Sequence, residues 1–331
     1  LEIGGTNTTL TNCTIRAKDL GYNDVASGEY KSAFGYTNGY SYLTRVTGTN
    51  VTMTGCVIDG TDNGDEGYFP NMCLMPTSAT NVTIKGCTFN EGWAAIYYGA
   101  ISGKVEIDSC KFQNIYAYSV NVSEGTDTTV TIKDSTLAGW SSFGSKLNSV
   151  TFGNCKFTKE LNGYASAYST VATYTDTVFN NCTFTEDFAG VNTAGNENGV
   201  YVDSGAKANV VVEMNGCTVV KNDGSESGKN IKDVLNTDKM GAGTTAVVAI
   251  DAVKDANGKY VSGTFVGEKT AITNVIAADS TYDATTGTVT PATTNAVAKI
   301  GDTKYASLTE AVAAAKDGAT VTLLADATED V

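Results

Sequence analysis

The chain has 331 residues, within the range of one or two domains, and combines 35 Gly and 17 Tyr with 3 Pro, no His and a formal net charge of −14. Its 22 cationic side chains include two arginines, Arg16 and Arg45, against 36 carboxylates, which argues against neutralising the phosphates of a nucleic acid. Without histidine there is no Ser-His-Asp or Cys-His nucleophile pair and no His-ligated metal, and no run reaches the ~18 apolar residues that span a bilayer.

The chain opens in LEIGGTNTTLTNCTI, with no signal peptide. It reads as the middle of a structure, so a segment of a larger protein is expected, with any targeting element outside it. From there eight segments repeat apolar-x-apolar-x-x-Cys-x-apolar. In order they are Thr8-Leu10-Cys13-Ile15, Val51-Met53-Cys56-Ile58, Val82-Ile84-Cys87-Phe89, Val105-Ile107-Cys110-Phe112, Val130-Ile132-Ser135-Leu137, Val150-Phe152-Cys155-Phe157, Thr177-Phe179-Cys182-Phe184 and Val212-Met214-Cys217-Val219. Seven of the eight cysteines share one column, Ser135 completes it, and Cys73 stands outside.

Each copy reads as two short strands, because residues two apart share a face. Turn formers precede the column residue, among them Gly86, Asp134, Asn154, Asn181 and Gly216, and Gly and Asn tolerate the left-handed backbone of a sharp corner. A third strand is expected upstream of the next copy, as in Ala95-Ile96-Tyr97, Ser119-Val120-Asn121-Val122 and Val200-Tyr201-Val202. Units of this kind bury their apolar faces by stacking. Residues 1–225 are therefore expected to form an all-β, right-handed parallel β-helix of about eight coils, with ~4.8 Å between coils.

The cysteine column does not read as a metal site or a disulfide framework. It has no C-x-x-C pair, and zinc needs ligands around a point rather than along a line. Stacking also favours a Cβ separation longer than a disulfide takes. A ladder of small buried thiols fits better, since Ser135 preserves size and ignores redox chemistry. Cys73, in GYFPNMCLMP, is the single thiol that could be reactive or could pair between chains.

Insertions follow the C-x-F strand and should emerge along one edge. The longest holds Tyr22, Tyr30, Phe34, Tyr36, Tyr40 and Tyr42 among Gly, Ser and Asn, the chemistry of antibody paratopes. Later coils place Tyr68 and Phe69, Trp93 and Tyr97, Tyr116 and Tyr118, Trp140, and Tyr164 and Tyr168 at comparable positions. Such a row could stack on sugars or dock a protein. The loop from Tyr22 to Tyr42, with Tyr68, reads as the ligand-binding edge, whereas Trp93, Tyr97 and Trp140 read rather as rings closing the side of the coil. DGTDNGDEG brings Asp59, Asp62, Asp65 and Glu66 together as a calcium candidate, although Pro70 stands where an EF-hand needs glutamate. A solvated acidic turn with no cofactor is the preferred reading.

Residues 226–292 are expected to cap the helix, with two β-prone runs around Asn257-Gly258 forming a hairpin. Residues 293–331 read as a strand–helix–strand module. Ser307 would N-cap the helix with Glu310 three residues on, Leu308, Val312 and Ala315 would form its apolar stripe, and Thr320 to Leu324 would be a strand. The run IGDTKYASLTEAVAAAKDGATVTLLAD resembles the module that precedes β-helix arrays in large repetitive surface proteins of gut-dwelling Gram-positive bacteria. Coils such as Asn12-Cys13-Thr14-Ile15 and Asn181-Cys182-Thr183-Phe184 resemble the pectin-lyase-like β-helix superfamily, a likeness of fold rather than chemistry. The first resemblance implies a monomeric segment of a secreted or cell-surface tandem array, with a following module beginning at the C-terminal end.

Pectin-lyase-like enzymes cleave polysaccharides, but their motifs are broken here. The polygalacturonase-like pattern needs N-x-D, an Asp pair, G-H-G and R-x-K in chain order. Arg16-Ala17-Lys18 and Asn236-Thr237-Asp238 match the outer two in inverted order, and G-H-G has no histidine. The negative charge also disfavours acidic polysaccharides. The expectation is a non-catalytic adhesin or binding segment that engages a host glycoprotein, an immunoglobulin or a glycan. The alternatives are a polysaccharide lyase or glycoside hydrolase, since two carboxylates at the right spacing leave no sequence signature, and a structural spacer.

Overall fold

A computed structural model describes residues 1–17, 42–60, 72–159, 170–188, 199–203, 206–236, 245–291 and 296–324. The chain forms two compact units, Leu1–Lys207 with Cys217–Thr244, and Ala208–Gly216 with Thr245–Val331. Among the described residues no helix is long and apolar enough to cross a membrane.

The first unit is a parallel β-helix. The strands Thr9–Thr11, Thr49–Thr54, Ala79–Lys85, Ile101–Asp108, Gly125–Lys133, Ser149–Gly153 and Thr177–Asn180 lie side by side in that order. Their register stacks Leu10, Met53, Ile84, Ile107, Ile132, Phe152 and Phe179 in one column. A second ladder stacks Ile15, Ile58, Phe89 and Phe112, and further along Leu137, Phe157, Phe184 and Val219. The third ladder runs through Tyr42–Val46, Met72–Pro76, the ends of Thr88–Tyr98 and Lys111–Val122, then Trp140–Phe143, Thr170–Thr173 and Gly199–Val202. The expected repeat alignment and third strands are thus the observed ones.

Aromatic stacking fills the interior. Phe152 lies flat on Phe179 at 4.7 Å and Phe157 on Phe184 at 4.7 Å, with Phe157 edge-on to Phe152 at 5.2 Å. Offset and edge-to-face pairs of this kind add to the area they bury.

The corner before each column residue is left-handed throughout: φ is 52° at Asn12, 62° at Gly55, 59° at Gly86, 55° at Ser109, 50° at Asp134, 51° at Asn154, 53° at Asn181 and 60° at Gly216. A further left-handed column, Asn7, Asn50 and Asn81, is linked through its side chains, each Nδ2 donating to the preceding Oδ1 at 2.8 Å. It ends where the Lys104 N–H donates to Asn81 Oδ1 at 2.9 Å beside Gly103.

The column thiols form no disulfide and do more than fill space. Six of the column thiols donate across their own corner to the carbonyl two residues back, among them Cys87 to Lys85 at 3.4 Å, Cys110 to Asp108 at 3.3 Å and Cys155 to Gly153 at 3.5 Å. Ser135 does the same to Lys133 at 2.8 Å and accepts the Cys110 N–H at 3.0 Å. A small donor is what the corner needs, so serine substitutes without loss.

In the second unit, Val211–Asn215 pairs in parallel with Val247–Lys254, which turns through Asn257 and Gly258 into the antiparallel strand Tyr260–Gly267. Thr288–Thr290 and Thr281–Asp283 continue antiparallel, and the short helix Lys269–Val275 packs Ile272 against Tyr260, Phe265 and Val289. The end of the chain adds the sheet Thr303–Tyr305, Ala298–Ile300, Val321–Leu323 and the helix Leu308–Ala314. Two strands, rather than one, precede this helix. Ser307 caps it as expected, accepting the Glu310 N–H at 3.1 Å. Its buried residue is Ala311, flanked by Leu308 and Ala314, whereas Val312, expected in the stripe, is 42% exposed. One step along a helix turns a side chain by about 100°, so the stripe follows Ala311 and leaves Val312 outside.

Candidate ligand-binding face

The second and third ladders meet at a corner, and this corner differs between coils. Residues 18–41, 61–71, 160–169 and 189–198 follow the strands Thr14–Arg16, Val57–Asp59, Lys156–Thr158 and Thr183–Thr185 and are outside the described residues. Between these sites, three consecutive coils turn tightly. Thr88–Tyr98 bends at Glu91 and Gly92, Lys111–Val122 bends at Asn114, and Gly139 turns the chain into Trp140–Phe143.

An aromatic row follows those tight corners. Tyr42, Met72, Ala94, Tyr118, Trp140 and Thr170 share one ladder position. Trp93 lies 5.1 Å from Tyr118 and 6.1 Å from Tyr97, Tyr97 is 6.0 Å from Tyr118, and Tyr118 is 4.6 Å from Trp140. All four rings are partly exposed. They do pack on one another as side-closing rings would, and they also present a shared surface.

Of the residues expected on the binding edge, Tyr22, Tyr30, Phe34, Tyr36, Tyr40 and Tyr68 lie outside the described residues. Tyr42 is at the end of the row but 8% exposed, packed on Ala94 with the Arg45 guanidinium 5.9 Å from its ring centroid. Its contribution is to support the row rather than to project from it, because Ala94 leaves room for the ring to settle onto the sheet.

A polar row borders the aromatic one on the other side of the corner. Arg16, Asp59, Asn90 and Gln113 are ladder partners. Asn90 donates to Asp59 Oδ1 at 2.9 Å and accepts from Asn114 at 2.8 Å and Gln113 at 3.3 Å. Asp59 also sits 4.0 Å from Arg16, so this calcium candidate spends its carboxylate on protein partners; Asp62, Asp65 and Glu66 are outside the described residues. Among the described residues no three His, Cys, Asp or Glu side chains gather to hold a metal ion.

Cys73 corrects an expectation. It is fully buried, donates to the Glu91 carbonyl at 2.8 Å, and burial pushes its thiol far up, so it is neither a reactive nor a pairing cysteine. Ser119, two coils further along, has the same role, bonding the Ala138 carbonyl and accepting the Ala138 N–H at 3.2 Å. Both hold tight corners next to the aromatic row.

The buried polar side-chain atoms near the row without a hydrogen-bond partner include Asn121 Oδ1, on the ladder partner of Tyr97, and Thr170 Oγ1, on the ladder partner of Trp140. Asn121 is 5% exposed. Glu106 and Asp108 are two apart on one strand, but Lys133 bridges them at 3.9 and 3.2 Å and Lys85 reaches Glu106 at 3.4 Å. Although burial pushes the Asp108 carboxyl up, hydrogen bonds from Ser109 and Lys133 hold it below its ordinary value; a general acid needs the opposite.

Sequence reasoning placed the binding edge in the longest insertion, outside the described residues, and read Trp93, Tyr97 and Trp140 as rings closing the side of the coil. The available signal was spacing: the intervals from Cys87 to Cys110 to Ser135 to Cys155 are the shortest, and aromatics stand just after the corner in each. A family model described as Right handed beta helix region matches residues 73–238, half of the chain. No curated protein and no solved structure matches it.

Proposed function

Since the chain belongs to the Right handed beta helix region family, a scaffold on which function resides in local surface rather than in the fold, we propose that it is a non-catalytic binding segment displayed outside the cell. In this reading it serves as the adhesive or ligand-gripping part of a bacterial surface protein, and the partly exposed row Trp93, Tyr97, Tyr118 and Trp140 is its recognition surface. The observation that carries the reading is that four aromatic rings touch across three consecutive coils and stay partly exposed. Tryptophan and tyrosine offer large contact area at low entropic cost. On this reading the Tyr-rich run at residues 22–42 is a further part of the same binding edge. The extracellular setting rests on the resemblance of the C-terminal module.

The test is binding to an array of host proteins and glycans by the intact chain, by a Trp93→Ala/Trp140→Ala variant and by a deletion of residues 22–42. Loss of a bound ligand in the tryptophan variant, with an unchanged thermal melt, is the expected result. An intact chain that retains nothing from either array returns the spacer reading. Release of reducing or unsaturated sugars from a polysaccharide panel returns the enzyme reading.

A further inference from the structure

Away from the aromatic row, the thiol column has a geometry of its own. We propose that neighbouring column cysteines grip a soft, two-coordinate metal ion of the Cu(I) class, one ion to each pair of coils. A line of thiols does not surround zinc, and among the described residues no three His, Cys, Asp or Glu side chains gather around one point. A line is, however, the arrangement that a linear ion needs, and soft thiolates favour Cu(I). Two metal–sulfur bonds of ~2.3 Å in line span ~4.6 Å, against ~4.8 Å between coils. A direct disulfide is far shorter and fits the column poorly.

The register aligns the sulfurs in two runs. Thr14, Val57, Thr88 and Lys111 are successive ladder partners, so Cys13, Cys56, Cys87 and Cys110 just before them form the first. Lys156, Thr183 and Thr218 align Cys155, Cys182 and Cys217 in the second. Ser135 stands between the runs.

The corners tolerate proton loss. Binding exchanges two S–H protons, released to water, for two metal–sulfur bonds, and nothing is oxidised. The carbonyls that take the S–H donors have a second donor. Lys85 O accepts the Gly55 N–H at 2.8 Å, Asp108 O that of Gly86 at 2.8 Å and Asn180 O that of Asn154 at 2.9 Å. Removing the thiol proton therefore leaves none of them unsatisfied. The sulfur is met from the preceding coil as well, the Cys56 N–H donating to Cys87 Sγ at 3.4 Å. Neighbouring thiols interact directly: a hydrogen bond from Cys87 holds the Cys110 thiol below its ordinary value, and one from Cys182 does the same for Cys155. Cys217 is partly exposed, which opens that end of the column, and the net charge of −14 attracts cations.

The reduced intact chain is titrated without oxygen with Cu(I) held by bicinchoninate, whose colour fades as the protein takes the ion. Two pairs in the first run and one in the second give three ions, and added Zn(II) displaces none. Cys182→Ser isolates Cys155 from Cys217 and lowers the count to two. Cys217→Ser removes as many thiols but leaves Cys155 beside Cys182, and keeps three. Ser135→Cys joins the runs and raises the count to four. It gives that coil the residue its neighbours already carry, so it decides the matter if a serine variant melts early. The inference is overturned if the chelator keeps its copper or if zinc displaces it. It is equally overturned if Cys182→Ser and Cys217→Ser lose alike, or if Ser135→Cys adds no ion. None of these results depends on a ligand for the aromatic row.

Discussion

Left-handed residues decide whether one coil can sit on the next. At Gly103 φ is 75°, and a Cβ there would lie 2.2 Å from Asn81 Oδ1, the atom that accepts the Lys104 N–H. Gly103→Ala therefore costs both backbone strain and the end of the asparagine chain. The expected loss is about 1–3 kcal/mol, read as a lowered urea midpoint; an unchanged midpoint would show that the contact relaxes freely. The buried thiols make a second prediction. Burial raises Cys56 and Cys73, and it raises the Tyr98 phenol as well. Folded groups of this kind hold their protons more tightly than unfolded ones, so their stabilisation is complete below the unfolded thiol value of about 8.5 and is lost as pH rises above it. No histidine titrates between about pH 5 and 8. The urea midpoint should be level across that range and fall by about pH 10, and a midpoint that climbs there would contradict the assignment. In native protein, thiol reagents should reach Cys13 and Cys217, which are partly exposed, well before the buried column.

At the scale of the strand, what could be read from sequence was whatever repeats. Val82, Ile84, Cys87 and Phe89 announce their positions because every coil imposes the same inward face and the same corner, and the ladders follow that alignment. Three features escaped it for a common reason: each depends on contacts between distant residues. Val312 lies outside its helix stripe because Ala311 faces the sheet. Tyr42 is buried because it packs with Ala94, two strands along the same ladder position. The aromatic row exists because three corners lack insertions, and no single repeat reveals that its neighbours lack them too. Inward and outward rings should consequently differ in what they cost. Phe157 touches Phe152, Phe179, Phe184 and Phe188, so Phe157→Ala is expected to lose about 3–5 kcal/mol. Trp140, partly exposed with Tyr118 on one side, should lose under half as much as Ala while losing ligand affinity. Thermal melts of the two variants check this, and equal losses would place Trp140 among the residues that hold the fold.

For the coil stack as a body, nearest-neighbour contacts carry stability, which makes the number of coils adjustable while their phase is not. Removing residues 110–134 joins Ser109 to Ser135, and the two flanking corner residues, Ser109 and Asp134, have matching φ of 55° and 50°. The removed stretch is one complete turn, so each surviving position meets an equivalent one. Ile107 comes to lie beside Phe152, Phe89 beside Leu137 and Tyr98 beside Phe143, all apolar pairs on the inner face. Lys133, which bridges Glu106 and Asp108, is lost, but Lys85 still faces Glu106, and exposed ion pairs contribute little. The shortened chain should keep a β-type circular dichroism spectrum and a cooperative melt at reduced temperature. Removing residues 110–122 instead cuts half a turn, turns one ladder out of phase and should leave no cooperative melt. If both deletions unfold alike, the coils are not interchangeable and the stack depends on some individual coil. The full-turn deletion also removes Tyr118 while bringing Trp93 and Trp140 onto adjacent coils. Its affinity for the ligand of the aromatic row should therefore fall, because the shortened row has one ring fewer.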